Sequence, residues 1–386
     1  MRCGRSGQAG ARRVAGTSNA LAGSAITNAW HHDKVTLASD HSWRTAAALA
    51  LEAYALEVVS LTRITQGLVN LTLKIATRDG ACFALQRLHP VFGPGVNHNL
   101  DRVTAHLGAR GMLTPRLLRT REGAPAVEHD GARWRVLSWI DGRAFDFLAQ
   151  PAQAAAAGAL LARFHGLLAD FAEDLIVERP PIHEFARHRA RLAAAQDAGR
   201  AHRLSAEVAR AAAQLDDMRG AYPAPRATPL RLVHGDPKIS NLLFDDAGTQ
   251  ALCLIDLDTL ARMALPLELG DALRSWCNPR REDDPQARFE MDLFAAAVRG
   301  YGAAARDFIS GDEAAAIVPA TLEIHLELAA RFLVDALEES YFGWDADRYD
   351  SRGAHNLARA CGQLAAAASL LKQLAAAEDA VARAFA

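Results

Sequence analysis

No run in the 386 residues approaches the roughly 18 consecutive apolar residues of a membrane-spanning helix, which argues against a membrane span. Cysteines are few, odd in number and scattered (Cys3, Cys82, Cys253, Cys277 and Cys361), with no CxxC pair. That pattern offers neither a zinc site nor a disulfide framework, and it fits a reducing, cytoplasmic location. Aromatic residues make up only 6%, which disfavours an aromatic cage for a quaternary ammonium. Neither charge sign is in excess, with 43 Lys and Arg against 45 Asp and Glu, so nothing broad recommends a nucleic-acid partner or an acidic membrane surface. What is present is apolar surface. Half the residues are hydrophobic, ample for a large core in two or three packed subregions.

The first stretch, 1–40, has Arg2, Arg5, Arg12 and Arg13 among Gly, Ala and Ser but no compact apolar segment. It reads as a disordered tail rather than a secretory signal. From Trp43 to Tyr54 the spacing predicts a helix, then strands from Val58, through Leu71–Ile75 and over Cys82–Leu88, the last two joined by a turn at Arg78-Asp79-Gly80. A helix from Val96 to Arg110 ends at Gly111, and strands come next near Pro115–Arg119 and Arg133–Ile140. After Asp141-Gly142 the chain turns Ala-rich and helical, interrupted by short strands at Leu230–Val233, Leu242–Asp245 and Ala251–Asp256. This order predicts an α+β, bilobal, protein-kinase-like fold. A small antiparallel sheet with one helix forms an N-lobe over 41–140, and a larger, mainly helical C-lobe spans 141–386.

Chemistry concentrates in Leu232-Val233-His234-Gly235-Asp236-Pro237-Lys238-Ile239-Ser240-Asn241 and, fifteen residues on, Ile255-Asp256-Leu257-Asp258. ATP-dependent phosphoryl transfer needs one carboxylate to orient the attacking hydroxyl, plus an amide oxygen and a second carboxylate for magnesium on the triphosphate. Asp236 is the candidate base, and His234 a brace for its loop. Lys238 is either a charge for the transferred phosphate or a solvated loop lysine. Asn241 and Asp256 are candidate metal ligands, as magnesium takes few protein oxygens beside phosphates and waters. Asp258 either supports a second metal or caps the next stretch of chain.

Upstream, the turn with Gly67 and Asn70 is expected to lay backbone N–H groups over the phosphates. Trp139 and Ile140, at the lobe junction, offer backbone groups and an apolar wall to adenine. Glu327, Arg331 and Asp335 recur at i, i+4, i+8 on one helical face, which makes them either a paired strut or a binding surface.

These residues resemble the aminoglycoside phosphotransferase and choline-kinase superfamily, and within it bacterial N-acetylhexosamine 1-kinases. The resemblance covers roughly residues 58 to 375. It is carried by Ala84-Leu85-Gln86-Arg87-Leu88, Asn99-Leu100-Asp101-Arg102-Val103-Thr104, the His234–Asn241 loop, Leu254-Ile255-Asp256-Leu257-Asp258-Thr259, Gly270-Asp271-Ala272-Leu273-Arg274, Glu327 and Arg331-Phe332-Leu333-Val334-Asp335. It implies two lobes, ATP with Mg2+, and γ-phosphate transfer to a sugar hydroxyl, the anomeric one in the hexosamine kinases. It further implies Arg274, Glu327 and Arg331 as sugar contacts and Asp271 as a brace of the catalytic loop.

One departure stands out: many relatives place Lys on the third strand, paired with a helix Glu. Here Gln86 and Arg87 stand there, and Asn97-His98-Asn99 occupies the Glu stretch. Either Gln86 hydrogen-bonds the phosphates with Arg87 or Lys74 helping, or nucleotide binding is weakened. The expected activity is phosphorylation of a small-molecule hydroxyl acceptor, a sugar first. Aminoglycoside, homoserine and choline are the rival acceptors, and a non-catalytic nucleotide-binding pseudokinase is the rival class.

Overall fold

The computed structural model describes residues 42–64, 70–178 and 180–386. Gly67 and the stretch 1–40 therefore lie outside the described residues.

The first half of the fold is an antiparallel sheet with a helix on each side. α1 (Ser42–Leu51) precedes β1 (Val58–Ile64), β2 (Leu71–Thr77) and β3 (Cys82–Arg87). α2 (Gly95–Ala109) then leads to β4 (Leu117–Leu118), β5 (Val127–His129) and β6 (Ala132–Ser138). The strands run in the order β1-β2-β3-β6-β4, with β5 pairing to β6. Side chains alternate across a strand, so the two faces have different tasks. Leu73, Ile75, Leu85, Trp134 and Val136 pack with Trp43, Ala47, Ala50 and Leu51 of α1. Ala84 and Leu137, on the opposite face, join Leu100, Val103 and Leu107 of α2 in the core that continues into the helical half. The helix expected over Trp43–Tyr54 thus packs on the sheet as well as α2, because Trp43 and its neighbours supply an apolar stripe that covers its outer face.

Beyond Ser138 the chain crosses to the helical half, and Arg143 already forms a β-bridge with Phe244. That half contains α3 (Pro151–Leu168), α4 (Phe185–Ala198) and α5 (Ser205–Ala221), then β7 (Leu230–Val233), β8 (Leu242–Phe244), β9 (Ala251–Leu254) and β10 (Ala261–Ala264). α6 (Leu265–Trp276), α7 (Met291–Ala305), α8 (Gly311–Ala315), α9 (Ile317–Glu338), α10 (Arg352–Leu371) and α11 (Leu374–Ala384) complete it. Pro151 starts α3 at a position where its missing N–H costs no bond. Gln153 secures that helix start to the β8–β9 hairpin by donating to Gly248 O at 3.0 Å. β10, which the sequence did not suggest, pairs antiparallel with β7 and sets the loop after β7 beside the turn after β9.

A long connection, 169–184, returns across α2 before α4 begins. Asn99 holds it by a reciprocal amide pair, donating to Ile176 O and accepting from Ile176 N, both at 2.9 Å. Gly95 N also donates to Glu178 Oε1 at 3.1 Å. No helix among the described residues is long and apolar enough to cross a membrane.

Candidate active site

The loop after β7 is built around one glycine. Gly235 has φ +84°, and an added Cβ would lie 2.1 Å from Thr259 O, so only Gly lets the chain turn there. The fully buried carboxylate of Glu268, on α6, accepts from His234 N and Gly235 N, both at 2.9 Å. His234 Nδ1 accepts from Asp236 N at 3.3 Å, which leaves Nε2 to donate to Ile255 O at 2.9 Å. The imidazole is therefore neutral in this arrangement and acts as a brace between the two loops. Ile255 N in turn donates to Asn241 O at 2.9 Å. Asp236, Asn241 and the Asp256 segment are thus linked through backbone groups.

Asp236 is partly open, with 28% of its side chain exposed. Its Oδ2 accepts from Lys238 Nζ at 2.6 Å and Asn241 Nδ2 at 3.2 Å. Asn241 Nδ2 also donates to Asp236 O at 2.9 Å, which turns the amide oxygen away from Asp236. Burial would push Lys238 down, but Asp236, Asp256 and Asp271 outweigh it and hold the ammonium above its usual pKa. Asp256 adopts φ 65°, ψ 51°, a left-handed conformation unusual for a residue other than Gly. Burial first, then the like charges of Asp258 and Asp236, push its carboxyl up to about 6, against the pull of Lys238.

That crowding of carboxylates fits a divalent cation. No group of three His, Cys, Asp or Glu side chains among the described residues forms a ready-made cage. Mg2+ does not require one, since it binds through one or two carboxylates plus phosphates and water.

Several expected site residues sit elsewhere than the sequence suggested. Asp258 is engaged with the sheet half: Arg135 Nη1 lies 2.7 Å from Oδ1, and Asn70 Nδ2 donates to Oδ2 at 2.8 Å. Gln86 Oε1 accepts from Arg135 Nε at 2.9 Å and Nη2 at 2.7 Å. Arg87 is opposite Leu71 and Trp134 in the sheet, on the α1 face, so it does not share the Gln86 face and the expectation that it helps there is corrected. Lys74 does share that face, with Nζ 4.4 Å from the Trp139 ring centroid and 3.6 Å from Asp141 Oδ1. Trp139 and Ile140 are half-buried at the crossing, where Trp139 Nε1 donates to Asp141 Oδ1 at 2.8 Å.

On α6, Asp271 accepts from Arg274 Nε and Nη2 at 3.0 and 2.8 Å. Arg274 Nη1 reaches Glu282 Oε1 at 3.1 Å, so this arginine is held between two carboxylates. The bonds from α6 to the loop after β7 come from Glu268, Ser275 and Trp276, which corrects the bracing role expected of Asp271. On α9, Glu327 meets His183 Nδ1 at 2.9 Å and His188 Nε2 at 3.8 Å. Burial lowers His183, yet Glu327 and Asp271 raise it more, so it lies above the ordinary imidazole value. Arg331 stands over Phe342, 5.7 Å from the ring centroid. Asp335 is a strut, accepting from Ser340 N, Tyr341 N and Phe342 N at 2.8, 2.6 and 2.8 Å.

Arg135, His183 and His188 escaped the sequence reading. Arg135 left one sign, a charge between Trp134 and Val136 in an apolar strand. His183 and His188 left none, because their partner Glu327 is more than a hundred residues away.

Solved structures resemble this fold along most of its length. An aminoglycoside phosphotransferase from Alicyclobacillus acidocaldarius matches with 20% identity and a TM-score of 0.57, over 85% of this chain and 96% of that one. Amicoumacin kinase in complex with AMP-PNP, Ca2+ and its antibiotic matches at 15% identity and TM-score 0.59, over 86% and 96%. A choline/ethanolamine kinase family protein from Mesorhizobium loti gives 17% and 0.54, over 88% and 98%. Such identities establish a shared bilobal fold. The sequence profile of the phosphotransferase enzyme family matches residues 60–308, a span from the first strand to beyond α7 that includes both loops. The chain belongs to the phosphotransferase enzyme family, whose members are small-molecule kinases acting on hydroxyl acceptors.

Proposed function

We propose that this protein is an ATP- and Mg2+-dependent kinase that phosphorylates a sugar hydroxyl, with the anomeric hydroxyl of an N-acetylhexosamine as the leading acceptor. The observation that carries the kinase reading is the partly open Asp236 carboxylate, held by Lys238 and Asn241 beside the Asp256 turn. Asp236 orients the acceptor hydroxyl and takes its proton late in the transfer, since the phosphoryl transition state is loose. Asn241 and Asp256 are the residues that would hold the cation, which when bound offsets charge on the triphosphate. Lys238 balances Asp236 before substrates enter and is placed to meet the transferred phosphoryl group.

The acceptor reading is supported by the pairing on α9. Glu327 already faces His183, and Arg331 and His188 lie close enough to act on the same imidazole cluster. A carboxylate so compensated attracts a cationic amine weakly and leaves polar groups for a neutral, hydroxyl-rich ligand.

An ATP-consumption screen with Mg2+ tests both parts, using acetamido sugars, neutral hexoses, aminoglycosides, choline and homoserine as acceptors. Turnover is expected on an acetamido sugar. Turnover confined to amines would overturn the sugar reading, and none anywhere would favour a nucleotide-binding module without activity. Asp236→Asn should lower kcat about 10²–10⁴-fold, the usual contribution of a positioned base, with nucleotide affinity unchanged.

A further inference from the structure

One buried guanidinium lies where the sheet, α2 and the turn after Asp256 meet. Arg135 is only 1% exposed. In the sheet it is opposite Gln86, which is opposite Thr72, so these three side chains share one face. Arg135 Nε and Nη2 donate to Gln86 Oε1 at 2.9 and 2.7 Å, and Nη1 donates to Asn97 Oδ1 at 3.1 Å. Gln86 is oriented for this by its own bond to Thr72 Oγ1 at 3.2 Å. The same Nη1 lies 2.7 Å from Asp258 Oδ1, with both side chains only 1% exposed.

Other ion pairs between the two halves are of a different kind. Asp141, opposite Lys74, is 91% exposed, and Asp170, opposite Arg110, is 64% exposed. Exposed pairs are screened and hold little, whereas a buried charge depends on the partner that faces it. α2 also packs directly on the Leu257–Thr259 turn.

We propose that Arg135 is a positioning residue for phosphotransfer: through Asp258 it fixes the turn that follows Asp256 against the sheet and α2, at the spacing a metal-bound triphosphate requires. Its N–H groups face Gln86, Asn97 and Asp258, so it acts on the nucleotide through these residues rather than by contact. The planar fork matters as well as the charge, because three separate oxygens are met by one rigid group. The inference rests on reading Asp256 as a metal ligand.

Calorimetric titration of the full chain with AMP-PNP, once with Mg2+ and once with EDTA, tests it. Arg135→Lys keeps the charge and loses the fork. It should weaken Mg2+-dependent binding about 10–100-fold, as loss of a residue supporting a metal ligand does, while binding in EDTA is unchanged. Asn97→Leu, which removes a single bond to Arg135, should shift the same quantity in the same direction by less. Should Arg135→Lys fail to melt cooperatively, Asn97→Leu decides alone. Parental Mg2+-dependent affinity in the folded variants would overturn the proposal. So would an equal loss with and without Mg2+, which marks direct phosphate contact or general damage. Asp256→Asn separates the two readings. If it retains Mg2+-dependent binding, the metal assignment itself fails; if it loses that binding while Arg135→Lys does not, only the role of Arg135 fails.

Discussion

The two walls of the candidate site are held in place by opposite means. On the helical side the groups that matter are fixed through backbone: Glu268 accepts two successive N–H groups, and His234 and Asn241 join the Asp236 loop to Ile255. On the sheet side the fixing is by side chains from separate elements, with Arg135 joining Gln86, Asn97 and Asp258. A backbone-held loop has few ways to move and tolerates few changes. A side-chain cluster can lose one member and keep the others, at graded cost.

Four substitutions or conditions sharpen that contrast. Gly235→Ala should be the most damaging, because φ +84° disfavours any Cβ by about 1–2 kcal/mol and Thr259 O must also be displaced. A shift of the loop by an ångström would lower kcat about 10²-fold, readable in steady-state assays. Glu268→Gln ranks second. One of its two oxygens becomes an N–H donor facing a backbone N–H, which should cost about 1–3 kcal/mol in urea unfolding. Gln86→Met removes the oxygen shared by Arg135 Nε and Nη2; Asn97 and Asp258 still hold Nη1, and a stability loss of about 1–3 kcal/mol for the buried donors left unpaired is expected. A loss for Gln86→Met as large as for Gly235→Ala would erase the distinction between the walls.

The remaining effect is one of pH. Burial, helped by nearby Arg274 and opposed by the Gln363 hydrogen bond, pushes His325 down to about 3. The unfolded chain therefore binds a proton that the folded chain refuses between that value and the ordinary imidazole pKa. Stability from this group is complete above about pH 6.5 and falls on acidification, by at most about 1.4 kcal/mol per pH unit. His325→Gln should flatten the slope of unfolding free energy between pH 6 and 5. An unchanged slope would remove His325 from that role.

The helical wall was legible in sequence because its parts are contiguous. His234 to Asn241 is a single loop, and Asp256 comes after a strand, β9, that pairs with the neighbouring β8. The bilobal fold was legible for the same reason, in the order of its strands and helices. The sheet wall was not, as Asn70, Gln86, Asn97, Arg135 and Asp258 are separated along the chain and meet only once the sheet has its register. Parity decides Arg87: adjacent residues of a strand face opposite ways, so it cannot accompany Gln86. Glu268 and Asp271 are three residues apart on one helix, and the resemblance pointed to Asp271 where Glu268 is the carboxylate that reaches the loop.

The left-handed backbone at Asp256 has a consequence for how this protein can drift. A carboxylate there is kept in a conformation that glycine or asparagine adopts more readily, and it costs the chain about 1 kcal/mol or more. Replacing Asp256 with Gly would relieve that tension at the moment it removed a charge crowded by its neighbours. If Asp256 holds the metal as proposed, the position is one where a sturdier molecule and a less active one are reached by the same step.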